Sequence, residues 1–139
     1  MAELSTYTKA SVVVLIILAI VSVVIPNGSG VREATDITKA LSNARQIGLA
    51  CKNYADDHGG NFPPSLDALF PTYLDPGSRF LLASKFNPGE PMGYIYTPPK
   101  PGNPAPANPI IIEDKFAPQV KHVRIVVHAD DSAQVLHVP

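Results

Sequence analysis

The chain has 139 residues, an apolar fraction of 45% and a formal net charge of −1 at pH 7. This length is that of one domain, or of one domain with an anchor. The near-neutral charge and the scattered lysines and arginines exclude a basic stripe, so no nucleic-acid partner is predicted. Cys51 is the single cysteine, which excludes an intrachain disulfide framework.

The first predicted element is an apolar helix that runs without a charge from Ala10 to Ile25. Its roughly 16 residues would extend about 24 Å, slightly short of a bilayer core. Residues 4–8 could lengthen it, with the Lys9 side chain reaching the interface. The predicted membrane or filament core consists of Val12, Val13, Val14, Leu15, Ile16, Ile17, Leu18, Ile20, Val21, Val23, Val24 and Ile25. The alternatives are a cleaved signal peptide, which has no A-x-A site here, and a buried core helix.

A helix break is predicted at residues 26–30. Pro26 removes one helical hydrogen bond, and Gly28 and Gly30 have low helix propensity. The break divides the chain into residues 1–30, a membrane or filament-core helix with a hinge, and residues 31–139, a globular head. Positive charges lie on both sides of the apolar segment, so its orientation is left open.

An amphipathic helix is predicted over residues 31–57. Its apolar face is narrow and rich in small side chains, which would allow another backbone or a sheet to approach closely. This face consists of Ala34, Ile37, Leu41, Ala44, Gly48, Cys51 and Ala55, and Ile47 and Tyr54 widen it. Gly59 or Gly60 is predicted to end the helix in the left-handed conformation.

The remaining chain predicts a short helical turn and then a sheet. Ser65 is the expected N-cap of the turn and Pro71 its terminator. Strands are predicted at about 94–97, 110–114, 123–129 and 133–138, the last two as a hairpin. The proline-rich segment between strands is interpreted as an exposed loop, with a polyproline ligand for an SH3-like partner as the alternative. The predicted fold class is therefore α+β, with a long N-terminal helix packed on a small antiparallel sheet.

Two stretches resemble bacterial type IV pilins and type II secretion pseudopilins. The first resembles the pattern N-x-[RK]-Q-I-G-x-A-x-x-x-Y-x-x-D-x-x-G-x-F-P-x-S-L of pseudopilin-like proteins. It is carried by Asn43, Arg45, Gln46, Ile47, Gly48, Ala50, Tyr54, Asp57, Gly60, Phe62, Pro63, Ser65 and Leu66. The second, "VVHADDSAQVLHV", resembles the v-l-F-A-D-G-H-V-x-x-L ending, with Ala129, Asp130 and Val135 in register. Pro26 lies where the family has its helix-kinking proline.

The resemblance implies a pilin-like fold and a structural function. Such subunits are held in the inner membrane with the head in the periplasm, and they assemble into a pilus or a secretion pseudopilus. The implied partners are further copies of the chain, inner-membrane assembly-platform proteins, and membrane lipid before assembly. The implied location is therefore the inner membrane as a single-pass protein, or a periplasmic or extracellular filament.

The beginning of the chain departs from the family pattern. Counting back from Pro26, the first mature residue of the family falls on Ser5, and the glycine before it falls on Leu4. The family's assembly glutamate falls on Lys9, which reverses the charge. These altered processing and assembly positions favour an alternative function, that of a membrane-anchored, pilin-like binding module that does not polymerise.

No enzyme is predicted, because no phosphate loop, HExxH, GxSxG or CxxC pattern is present. Cys51 is interpreted as a packed core thiol rather than a reactive one. His128 and His137 could meet across the last hairpin, yet two imidazoles make a weak zinc site. Asp130 and Asp131 are the calcium candidates, since some major pseudopilins bind calcium near their C-terminal loops. A simple hairpin turn is the alternative for the two aspartates, and no other cofactor is predicted.

Overall fold

A computed structural model of the protein describes residues 29–100 and 107–139. Helix α1 (Ser29–Asp57) is followed by two 3-10 helices, Leu66–Leu69 and Pro76–Leu82. The rest of the chain forms β1 (Tyr94–Tyr96), β2 (Ile110–Asp114), the short helix α2 (Ala117–Lys121), β3 (Val123–His128) and β4 (Ala133–His137). The chain divides into two units, Met1–Ala34 and Thr35–Pro139, and the packing described below is that of the second.

The fold is α+β, with a helix packed against a four-stranded antiparallel sheet, as predicted. The strand order is β1-β2-β3-β4, so each strand pairs with its neighbour in sequence. Tyr94 pairs with Asp114, and Val127 pairs with both Ile112 and Ala133. A register irregularity between Ile110 and Ile112 interrupts the pairing of β2 with β3.

Helix α1 ends where the sequence predicts and begins slightly earlier. Gly59 and Gly60 have φ values of 65° and 89°, and the Gly60 amide donates to the Ala55 carbonyl at 2.7 Å. This is the left-handed ending that glycine accommodates without steric cost. Gly30, which the prediction assigns to the break, is instead the second residue of the helix. One glycine lowers helix propensity by only about 1 kcal/mol, which the rest of a long helix offsets.

The membrane and processing predictions fall on residues that the structure does not describe. Leu4, Ser5, Lys9, the apolar segment 12–25, Pro26 and Gly28 all lie outside the described residues. Within residues 29–100 and 107–139, no helix combines the length and the apolar character needed to cross a membrane.

The segment between α1 and β1 covers one flank of the helix. The Tyr96 hydroxyl donates to the Pro63 carbonyl at 2.7 Å, and the Tyr73 hydroxyl donates to Asp57 at 2.9 Å. Ala50, on the same flank, is buried. Ser65 occupies the predicted N-cap position of the first 3-10 helix, but its side chain makes no capping hydrogen bond there.

Candidate functional site

The helix and the sheet meet through small side chains on α1. Ala40, Ala44 and Cys51 are fully buried, and among the α1 side chains that the structure describes Ile47 is the one large side chain buried with them. A Cβ atom built on Gly48 would lie 2.5 Å from Cγ1 of Val127, well inside van der Waals contact. The glycine therefore lets the backbone of α1 approach β3 closely, as the small-residue face predicts.

Substituting Gly48 by alanine is expected to lower the free energy of unfolding by about 1–2 kcal/mol. Overpacking against the stiff, β-branched Val127 costs about 1–3 kcal/mol, and the better helix propensity of alanine returns up to about 1 kcal/mol. Urea denaturation of the full chain in mild detergent measures the difference. The control is a double-mutant cycle with Val127→Ala, which makes room for the new methyl group. Additive losses in the cycle would contradict the steric explanation.

Cys51 is a packed thiol, as predicted. It is fully buried on the sheet-facing side of α1, and burial raises its pKa to about 12. Because the thiolate is the nucleophilic form, the Cys51 side chain is poorly suited to covalent chemistry at neutral pH.

A buried carboxylate ties the segment before β1 to the sheet. Asp114 accepts hydrogen bonds from the Ser84 hydroxyl at 3.0 and 2.8 Å to its two oxygens. Its Oδ1 also accepts from the amides of Phe116 at 2.8 Å and Ala117 at 2.9 Å, at the start of α2. The Ser84 hydroxyl in turn accepts from the Phe86 amide at 3.1 Å. We call Asp114 and Ser84 the buried clamp, since together they connect β2, α2 and the loop after the second 3-10 helix.

Tyr94 lies beside this clamp, paired with Asp114 across β1 and β2. Its hydroxyl is buried and has no hydrogen-bond partner within residues 29–100 and 107–139. Burial, and to a smaller extent the negative charge of Asp114, raise the pKa of Tyr94 well above its ordinary value. The phenol is therefore neutral at any physiological pH.

The turn between β3 and β4 is an ordered, acidic tip. The Asp130 amide donates to the Asn108 side chain at 3.1 Å, and Oδ1 of Asp130 accepts from the Ser132 amide at 2.9 Å. Hydrogen bonds from Ser132 and then from Asn108 lower the pKa of Asp130 to about 2. Asp131 has a φ of 69°, a conformation that aspartate tolerates in turns. The hairpin turn predicted at these two aspartates is present.

The calcium prediction for Asp130 and Asp131 stays a prediction. In the two described ranges, no group of three or more His, Cys, Asp or Glu side chains is placed to hold a metal ion. The zinc alternative for His128 and His137 is corrected by the register of the hairpin. His137 pairs with Val123 at one end of the hairpin, whereas His128 lies at the other end and its Nδ1 is 2.9 Å from the Asn108 carbonyl oxygen.

A groove of about 490 Å³ lies between α1 and the loop that follows the second 3-10 helix. Lys39 and Asn43 form its helix side, and Phe80 and Lys85 lie on its other side. The Phe80 side chain is 67% exposed, the largest fraction among the large apolar side chains that the structure describes. No sequence pattern indicates this groove, because it joins positions about 40 residues apart and depends on the buried clamp.

The sheet also carries an ion pair between neighbouring strands. Nε of Arg124 donates to Oε1 of Glu113 at 2.7 Å, and Nη2 donates to Oε2 at 2.8 Å. The Arg124 hydrogen bond lowers the pKa of Glu113 below its ordinary value of 4.5, while partial burial opposes it. Two parallel hydrogen bonds of this kind fix the geometry of the pair.

Glu113→Gln is expected to lower the free energy of unfolding by about 0.5 kcal/mol at pH 7, because the partly exposed pair is screened by solvent. The folded-state pKa of Glu113 lies below the unfolded one, so the stabilisation is present above pH 4.5 and is lost as the pH falls through the lowered pKa. Unfolding curves from pH 7 downward should therefore converge for wild type and variant. Glu90→Gln, at an exposed loop position, is the control. A difference that grows on acidification would contradict the prediction.

Comparison with protein-family models, with curated proteins and with solved structures gave no match to this chain.

Proposed function

We propose that the chain is a pilin-like structural subunit of a pilus or of a filament resembling the type II secretion pseudopilus. In this proposal it assembles with further copies of itself through its N-terminal helix. The observation that carries the proposal is the packing of α1 on the sheet. A long helix presents Ala40, Ala44 and Gly48 to a four-stranded antiparallel sheet, directly after an uncharged apolar segment in the sequence.

The apolar segment and helix α1 would have different tasks. The apolar segment 12–25 would hold the subunit in the inner membrane and later form the filament core, where it contacts only other apolar helices. The small-residue face of α1 would attach the head to that core. In this arrangement the sheet and the loops would form the outer surface of the filament. Assembly-platform proteins of the inner membrane would extract the subunit from the lipid.

Deletion of residues 10–25 tests the proposal. The variant should lose membrane retention and filament formation, because the segment that anchors and polymerises the subunit is gone. Fractionation of the envelope and electron microscopy of sheared material measure the two losses. A chain with leucine at Val13 and Val14 keeps the apolar character and is the control. Regular filaments from the deleted chain would refute the proposal.

The altered positions Leu4 and Lys9 favour a second function, that of an anchored, pilin-like binding module. An unpaired lysine in a lipid-like core is costly, so a chain with Lys9 could stay in the membrane as a monomer. This alternative predicts membrane retention without fibres under conditions in which the first proposal predicts regular filaments. Electron microscopy of native envelope material therefore separates the two functions.

A further inference from the structure

The groove between α1 and the loop before β1 is cationic and partly apolar. Lys39 and Lys85 are both exposed at its edges. In the part of the chain that the structure describes, neither lysine forms an ion pair with a carboxylate. The exposed ring of Phe80 lies beside them. Two unpaired ammonium groups next to an apolar surface suit a short acidic segment with small side chains.

The tip of the β3–β4 hairpin has the complementary properties. Asp130 and Asp131 are adjacent in the turn, and no described lysine or arginine pairs with either carboxylate. Ala129 and Ser132 flank them, so the tip is narrow. The hydrogen bonds to Asn108 and Ser132 hold the tip in one conformation, which reduces the entropy that docking would cost.

The groove borders one flank of α1, and β3, the strand that leads to the tip, packs against the other flank. At 3.6 residues per turn, Lys39 and Asn43 lie on one side of the buried face, and Gly48 lies on the other. The first flank borders the groove. Gly48 contacts Val127, in the strand that leads directly into the tip. Because the groove and β3 lie on different flanks of α1, we infer that the groove and the tip face different neighbours.

We propose that the groove edged by Lys39 and Lys85 receives the Asp130–Asp131 tip of a second copy of the chain. This inference rests on the proposed function, since it names a contact between subunits. The contact is heterologous, because each copy offers its groove to one neighbour and its tip to another. Contacts of this type propagate as rings or as helical filaments rather than closing as a dimer. Contacts between apolar helices alone do not determine how neighbouring heads are positioned relative to one another. The contact between tip and groove would fix that position.

A zero-length carbodiimide cross-link between amine and carboxylate tests the contact in the full chain. Assembled material is prepared from equal parts of unlabelled and ¹⁵N-labelled chain, so that mixed-isotope peptides identify links between copies. We expect mixed-isotope links that join Lys39 or Lys85 to Asp130 or Asp131. Links from these lysines only to another protein, or only within one copy, would overturn the inference.

Two charge variants give a test that does not depend on cross-linking. The first carries Lys39→Glu and Lys85→Glu. The second carries Asp130→Lys and Asp131→Asn, because asparagine tolerates the left-handed φ of that position. Each variant alone should assemble at least tenfold less than wild type. The mixture should co-assemble, since the acidic tip of the first fits the lysine groove of the second, and the basic tip of the second fits the acidic groove of the first.

The outcomes distinguish this inference from the proposed function. Wild-type filaments without the expected links would overturn the contact and leave the filament proposal intact. Links between copies in detergent without any filament would support the contact and refute the filament proposal. Normal assembly of either variant alone would overturn the contact. So would failure of the mixture when circular dichroism shows that both variants are folded.

Discussion

Asp114→Ala is expected to lower the free energy of unfolding by about 3–4 kcal/mol, because three buried donors lose their acceptor. The carboxylate is fully buried and accepts hydrogen bonds from the Ser84 hydroxyl and from the amides of Phe116 and Ala117. Among the residues that the structure describes, none of these donors has another acceptor, and water would have to enter the core to replace the carboxylate. Urea denaturation of the full chain in mild detergent measures the loss.

Asp114→Asn is the matched control for this prediction. Its side-chain oxygen can still accept from the amides of Phe116 and Ala117, and only the bond from Ser84 to the second oxygen is lost. The expected destabilisation is about 1 kcal/mol, the typical value of one hydrogen bond. If alanine and asparagine destabilised the chain equally, the hydrogen bonds from the Phe116 and Ala117 amides would not account for the loss of stability. If alanine cost less than about 1 kcal/mol, the carboxylate would not be a buried acceptor at all.

The buried clamp also bears on the proposed contact between copies. Ser84 lines the groove, and Phe80 and Lys85 lie four residues before it and one residue after it. Loss of the carboxylate removes the side-chain attachment of this loop to β2, so the position of Lys85 relative to Lys39 becomes less fixed. A chain with Asp114→Asn should therefore keep the cross-links to the tip, whereas a folded fraction of Asp114→Ala should lose them.

The sequence predicted the helix and the sheet because their signals are local. Small residues at spacings of three and four indicate a buried helix face, and Gly59 and Gly60 mark its end. β-Branched runs around Ile111 and Ile125 indicate strands, and the aspartates at 130–131 indicate the turn. In each case the residues that determine the element lie within a few positions of one another, so no tertiary information is needed.

The segment from Pro76 to Gly93 could not be predicted in the same way. Its 3-10 helix has two local signals, Pro76 in its first turn and the Asp75 side chain, which accepts from the Gly77 amide at 2.9 Å. Its position depends on the pairing of Ser84 with Asp114, 30 residues away. No periodicity connects such positions. The groove was therefore missed, although its lysines and Phe80 were visible in the sequence.

Helix α2 was missed although a local signal was available. Asp114 lies three residues before Ala117, and Pro118 lies in the first turn. An aspartate before a helix and a proline at its start are both typical of helix N-termini. The helix has only five residues, Ala117–Lys121, and the next residue, His122, has a left-handed φ of 53°. No element was predicted over these residues, because so short a helix shows no periodicity.

Gly93→Ala is expected to destabilise the fold by about 3 kcal/mol or more, above the usual range for overpacking. A Cβ atom at this position would lie 2.6 Å from Cβ and 2.7 Å from Cα of Ser84, and closer still to the Ser84 amide nitrogen. Hydrogen bonds hold both the Gly93 backbone and Ser84 in place, so neither can shift to make room for the Cβ atom. The Gly93 amide donates to the Leu82 carbonyl at 2.7 Å, and the Gly93 carbonyl accepts from the Lys115 amide at 2.9 Å. Ser84 is held by Asp114.

Gly89→Ala, in the same loop, is the matched control. A Cβ atom there would meet only the Asn87 side-chain oxygen at 3.7 Å, an ordinary contact. Alanine also reduces the entropy of the unfolded chain, so this variant should be neutral or more stable by about 0.5 kcal/mol. The two substitutions change the unfolded chain in the same way. A large difference between their urea midpoints therefore measures the cost of the overlap between the new Cβ atom at position 93 and Ser84. Similar midpoints would show that the loop can move away from β1.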